Sequence, residues 1–336
     1  MFNKINVKWL IGIFAILLIV TVIVIIINKS GSAASRNRTF KSNLVEFDTA
    51  TATRITIIPK MGGDPVNLFK KEGQWKVTVG DKDYNANPSD IKNLLSSIRS
   101  LRALRIASTT KDQWKKYEVT DSAATHVIVN EGKKAAANVY LGKFSYQQPK
   151  NTNPYMMYQQ QGKMTSYVRI AGDKRVYGVD GLIALSFNRK ANDFRNQAIV
   201  RTNKENWNRL DFTAPDYSFS LTKQEGKWMA DGLMTDSASM ASYLGALDYL
   251  SSTYYVEDTV LTSNTPLYIL SIEGENMANP IKIQAYPADT LNKFAITSSL
   301  NEGTYFSGSK NELFDKIFKK KESFLKSESE VTAEKK

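Results

Sequence analysis

Cysteine is absent from the 336-residue chain, which excludes a disulfide framework, a thiolate metal site and a cysteine nucleophile. Histidine occurs once, at His126. A zinc-protease pair and any multi-histidine iron or copper site are therefore excluded, and a single imidazole base is the most the chain can supply. Also missing are a Gly-x-Ser-x-Gly elbow, a phosphate loop and a Rossmann fingerprint, so nucleotide-driven work would fall to a partner. Ser307-Gly308-Ser309-Lys310 and Ser323-Phe324-Leu325-Lys326 match the Ser-x-x-Lys spacing of penicillin-binding enzymes, but the companion Ser-Asp-Asn and Lys-Thr-Gly elements are lacking. Chance explains both matches in a chain so rich in serine and lysine. The expectation is a protein without catalytic residues, cofactor or metal site.

What is present starts with a hydrophobic content of 42%, ample for packed cores. The formal net charge of +12 is scattered, and its densest block, Lys319-Lys320-Lys321, reads as a solvated helix end rather than a nucleic-acid surface. No nucleic-acid partner is expected. From Trp9 to Ile27 the sequence is uncharged and apolar, long enough at 1.5 Å per residue to cross a hydrocarbon core of roughly 30 Å. A cleaved signal peptide is the alternative, with Ser32, Ala33 and Ala34 as a cleavage region, but its apolar stretch is usually shorter, about 7 to 15 residues. The expected partner of Trp9–Ile27 is thus a bilayer, crossed once.

Lys4 and Lys8 precede the span, while Lys29, Arg36, Arg38 and Lys41 follow it, so the positive-inside count does not favour the short end. A short N-terminal tail ahead of a long translocated body is the commoner arrangement. The body is accordingly expected outside a bacterial cytoplasmic membrane, facing the periplasm or the cell exterior.

Beyond the span the chain repeats itself. Glu72-Gly73-Gln74-Trp75 recurs as Glu225-Gly226-Lys227-Trp228, an offset of 153 residues (228 − 75), and Gly before Trp suits a hairpin turn feeding a strand. After the first Trp, Asn87-Pro88-Ser89-Asp90 supplies an N-cap, a first-turn proline and an acidic residue. Ile91, Leu94, Leu95, Ile98 and Leu101 then fall on one helical stripe. After the second, Asp236-Ser237 leads into Met240, Tyr243, Leu244 and Leu247 at the same spacing. Strands are expected at 124–129, 137–141, 167–170 and 175–179, and again at 267–272, 281–285, 294–296 and 304–307. Each half closes with a short apolar helix, 182–187 and 313–318.

The pattern predicts an α+β chain: an N-terminal transmembrane helix, then two tandem, duplicated β-rich domains, each with one amphipathic helix packed on an antiparallel sheet. The expected boundaries are a tail at 1–8, the span at 9–27, a tether at 28–43, domains at 44–203 and 204–320, and a charged disordered tail at 321–336. Trp75 and Trp228 are expected to pack in the two cores.

His126 lies in an alternating strand, on the face of Ile128, with no serine or aspartate placed beside it. The stretch from Tyr146 to Met164 is rich in tyrosine and amides and reads as a long hairpin loop. Tyr146, Gln148, Asn153, Tyr155, Tyr158 and Gln160 are its candidate recognition residues, because rings and amides give contact area and hydrogen bonds at low entropic cost.

Several short motifs carry a resemblance: Glu72-Gly73-Gln74-Trp75, the helix from Pro88, Tyr117-Glu118-Val119, His126-Val127-Ile128-Val129, Tyr140-Leu141-Gly142-Lys143, Tyr167-Val168, Val176-Tyr177-Gly178-Val179 and Asp193-Phe194-Arg195-Asn196. Together with the anchor they resemble the bacterial family known as domain of unknown function 4340, over residues 45 to 320. That resemblance implies an accessory role at an envelope complex, since some members accompany auxiliary subunits of ABC transporters, including those linked to gliding motility in Bacteroidota. It implies no catalytic residues. The expected function is a non-catalytic accessory or scaffold subunit of an ABC-type export or motility complex, with a protein partner. A glycan- or lipid-binding module working through Tyr146–Met164, and a hydrolase with an unrecognised site, are the alternatives.

Overall fold

The computed structural model of the protein describes residues 42–148 and 162–325. The span expected at Trp9–Ile27, the tail before it, the tether as far as residue 41 and the tail from 326 lie outside the described residues. Among the described residues no helix is long and apolar enough to cross a membrane.

The earlier half of the chain forms β1 (Arg54–Ile58), β2 (Val66–Lys71), β3 (Gln74–Val79), β4 (Lys82–Asn85), α1 (Pro88–Arg99), β5 (Ala103–Ser108), β6 (Thr125–Glu131), β7 (Lys134–Gln147), β8 (Lys163–Ile170) and β9 (Val176–Asp180). The later half forms β10 (Trp207–Thr213), β11 (Ser218–Gln224), β12 (Lys227–Ala230), β13 (Leu233–Met234), α2 (Ser237–Leu247), β14 (Tyr255–Val256), β15 (Tyr268–Gly274), β16 (Ile281–Pro287), β17 (Phe294–Ser298), β18 (Tyr305–Ser307) and α3 (Leu313–Ile317). The molecule is mostly β, with two antiparallel sheets.

Strand order carries the duplication. One run reads β1-β6-β7-β8-β9-β5 and its later counterpart β10-β15-β16-β17-β18-β14, while the meander β4-β3-β2 is matched by β13-β12-β11. Adding nine to each strand number converts one set into the other. The hairpin turns agree in backbone as well: Glu72 and Gly73 have φ of 50° and 81°, and Glu225 and Gly226 have 49° and 81°. Two successive positive φ values define the two-residue turn whose twist matches the flanking strands.

The described residues fall into two compact units, one drawn from Met1–Pro65 and Lys92–Asn188, the other from Val66–Ile91 and Arg189–Lys336. In the first, Ile55 and Ile57 of β1 pair with Val129 and Val127 of β6, which pair in turn with Ala137 and Val139 of β7. These side chains share one face and are all buried, as period-2 alternation requires. Leu94, Leu95 and Ile98 of the α1 stripe are likewise buried. Asn87 caps α1, its Oδ1 accepting from the Ser89 N–H at 3.1 Å.

The second unit has an aromatic core. Phe212 and Phe219 stack at 4.4 Å, and Phe324 and Tyr243 meet edge-on at 5.0 Å. Asp236 caps α2 by accepting from Ser239 N–H at 2.7 Å, which aims Met240, Tyr243, Leu244 and Leu247 inward. The tryptophan expectation needs correcting. Trp228 is buried, but Trp75 is only half-buried, and the most deeply buried indole among the described residues is Trp207, whose Nε1 donates to Thr202 Oγ1 at 2.9 Å. Residues 321–324 of the expected tail form a short 3-10 turn, held because Phe324 inserts into this core.

Candidate functional site

The site is built at the root of a two-stranded arm in the first unit. β7 and β8 pair from Val139↔Ile170 outward to Gln147↔Lys163, with one register shift between Leu141 and Phe144. Three residues advance on β7 where two advance on β8, which is a β-bulge. Gly142 occupies it for a steric reason: a Cβ there would lie 2.2 Å from the Tyr117 carbonyl oxygen and 2.7 Å from Val119 Cγ1. The Lys143 N–H donates to the same Tyr117 oxygen at 3.1 Å. The segment Tyr117-Glu118-Val119, with Glu118 at φ 55°, is thereby pinned across the bulge.

Because of the extra residue, Phe144 and Tyr146 point to the face that Leu141 uses. Their partners Ser166 and Met164 continue the row of Val168. Leu141 and Val168 are buried, yet Phe144 is 55% exposed, Tyr146 52% and Met164 39%. The apolar face of the sheet thus runs out from under its cover. At the point where cover ends, a cavity of about 410 Å³ opens between Leu141, Phe144, Ser166 and the 3-10 turn Ile183–Ser186, with Lys60, Lys143 and Glu118 at its walls. Leu185 on that turn is 59% exposed. Ser166 fixes the turn, its hydroxyl donating to Gly181 O at 2.6 Å and accepting from Ile183 N–H at 3.2 Å.

The opposite face of the same strands is filled by a ladder of planar groups. His126 stacks on Tyr140 at 4.0 Å, and the Arg169 guanidinium lies 3.7 Å from Tyr140 and 3.9 Å from Trp114. Arg169 also donates from Nε to Val119 O at 2.9 Å and from Nη2 to Asp121 at 2.8 Å. Delocalised cations favour such faces. His126 Nε2 lies 2.6 Å from Asn138 Oδ1, so its ring is a rung of this ladder.

Of the sequence-predicted recognition residues, Tyr146 sits within β7 and Gln148 just past its end, both exposed. Asn153, Tyr155, Tyr158 and Gln160 lie outside the described residues. The first Ser-x-x-Lys match is not assembled as a nucleophile and base, since Ser307 is buried and donates to Asn292 Oδ1 at 2.6 Å; Lys326 of the second match lies outside the described residues. No group of three or more His, Asp or Glu side chains able to hold a metal occurs among the described residues. The sequence reading missed Phe144 and Leu185. The available signal was Gly142, which announces the bulge that turns Phe144 onto the apolar face.

No curated protein and no solved structure matches the chain. The family profile described as domain of unknown function, DUF4340, matches residues 75–267, more than half of the chain. That stretch holds the Tyr117 crossing, the Gly142 bulge, the Arg169 ladder and the turn at Gly226, and the chain belongs to the DUF4340 family.

Proposed function

We propose that this protein is a membrane-anchored, non-catalytic accessory subunit of an envelope assembly of the ABC-type export or motility class, and that it grips a protein partner with the root of the β7–β8 arm. One observation carries the reading: Phe144, Tyr146 and Met164 extend the buried face of the sheet into solvent beside a cavity and the exposed Leu185. Contiguous apolar surface rimmed by polar groups is what a protein interface presents. The anchor at Trp9–Ile27 and the family's association with transporter subunits supply the setting, with the body on the outer side of the membrane.

The test is a crosslinked, detergent-solubilised pull-down of the full-length chain, read by mass spectrometry against a triple variant, Phe144→Ser, Tyr146→Ser and Met164→Ser. Recovery of transporter or motility subunits by the native chain and their loss from the variant is the expected result. Equal recovery by both would remove the arm from the interface, and a chain that comes down alone would overturn the accessory role.

A further inference from the structure

The second unit contains a separate cleft. Its floor is Trp228, Met240 and Leu244, its wall is the hairpin β11–β12, and its volume is about 550 Å³, within the range of small-ligand sites. Lys223 pairs directly with Trp228 across the hairpin and so stands on the same face. Lys204 approaches from the other side, its ammonium 3.9 Å from where a Cβ on Gly245 of α2 would be. Lys227 also lines the cleft, and Glu205 is the one carboxylate among its lining residues. No carboxylate lies within 4.0 Å of Lys204, Lys223 or Lys227 among the described residues. Beside the mouth, Met234 is 58% exposed on β13, the terminal strand of its sheet.

An apolar floor under a rim of unpaired ammonium groups selects for two properties at once. A small inorganic anion would leave the indole and methionine surface uncovered, and a neutral hydrocarbon would leave the lysines unmatched. We propose that this cleft binds a single-chain anionic lipid, with the acyl chain on Trp228, Met240 and Leu244 and the carboxylate head between Lys204 and Lys223. The site is independent of the β7–β8 arm.

The experiment uses the full-length chain in phosphatidylcholine nanodiscs and a decanoate carrying a diazirine, with labelled residues mapped by mass spectrometry. Labelling of Met234, Met240 or Leu244, competed by decanoate but not by decanol or inorganic phosphate, is the expected result. Lys204→Gln with Lys223→Gln weakens that competition about tenfold, as expected for loss of charge-assisted contacts. Lys223 is exposed and Lys204 half-buried, and an unchanged urea midpoint shows that the fold of the double variant is intact. Absence of labelling in the cleft, equal competition by decanol, competition by phosphate alone, or indifference to the lysine changes overturns the proposal. Stronger competition by a glutamate-rich amphipathic peptide than by decanoate overturns it as well, and reassigns the cleft to a protein segment.

Discussion

The Arg195 guanidinium carbon lies 3.5 Å from the ring centroid of Tyr84, and the ring of Tyr255 covers its other face at 3.8 Å. Arg195 is 2% exposed, and its Nε and Nη2 have no hydrogen-bond partner among the described residues. Burial lowers its pKa, against the pull of Tyr84, Tyr255 and Glu257. The two rings therefore carry most of the stabilisation of this cation, helped by Nη1 donating to Asn192 Oδ1 at 3.2 Å. Around them Tyr84 donates to Glu257 at 2.9 Å, and Lys82 bridges Glu257 and Asp258, each at 3.1 Å.

Replacing Arg195 by lysine keeps the charge and loses the plane. Arg195→Lys is expected to cost about 2 kcal/mol, because a strongly hydrated ammonium cannot stack and desolvates poorly. Arg195→Met, apolar and of similar length, is expected to cost less than lysine. Urea unfolding of both variants checks the order, and a methionine variant weaker than lysine would show that the charge itself stabilises the cluster.

Asp173 gives the acid dependence. Burial pushes its carboxyl up, but hydrogen bonds from the Arg175 side chain, the Arg175 N–H and the Tyr177 hydroxyl outweigh burial and hold it at about 2. A depressed carboxylate contributes stability that is complete above its unfolded value, roughly 4, and is lost as pH falls toward the folded value. The expected loss is about 2 kcal/mol between pH 4 and about 2. Asp173→Asn should flatten that limb of the curve. Tyr177, raised to about 12 first by burial and then by its bond to Asp173, works in the other direction: its contribution is full below roughly pH 10 and is lost as pH rises to about 12. Tyr177→Phe should remove the share of Tyr177 from the alkaline limb, which Tyr217 and Tyr255, also raised to about 12 by burial, keep in part, and it should leave part of the acid limb. Unfolding midpoints at stepped pH measure both.

The elements legible in the sequence are those that local rules determine. Asn87-Pro88 starts α1 and Asp236 caps α2, as expected, because a cap and a 3.6-residue stripe are properties of about 12 consecutive residues. The two Glu-Gly turns were legible for the same reason. Phe144 was not: plain alternation from Leu141 places Lys143 on the apolar face, and only the bulge at Gly142 moves Phe144 there. The Arg195 cluster was still less visible, since Tyr84, Arg195 and Tyr255 are distant in the sequence and meet only in the folded unit. Trp207 was overlooked because it stands outside the repeated tetrapeptide that drew attention to Trp75 and Trp228.

Trp207 and Trp75 should separate by burial. Trp207→Ala removes a fully enclosed indole and its bond to Thr202, and is expected to cost about 3–5 kcal/mol. Trp75→Ala removes a half-buried ring and should cost about 1–2 kcal/mol by the apolar area it covers. Urea midpoints of the two variants measured side by side check the ranking, and equal costs would mean that the half-buried Trp75 ring is as important as the enclosed one.

Two glycines test whether space or backbone angle governs the turns and the bulge. Gly73 has φ 81° and nothing within 4 Å of a Cβ, so Gly73→Ala meets only the left-handed backbone penalty, about 1 kcal/mol. Gly142 has no such angle, but its Cβ would collide with the Tyr117 carbonyl and Val119. Neither neighbour can yield cheaply: the carbonyl is backbone and Val119 is fully buried. Gly142→Ala is therefore expected to cost about 2–3 kcal/mol, within the overpacking range. It should also raise amide exchange at Lys143, whose N–H donates to Tyr117, whereas Gly73→Ala leaves that amide protected. Exchange at Lys143 rising equally in both variants would show that the hairpin and the bulge open together, and that the Tyr117 crossing is not what holds the root of the arm.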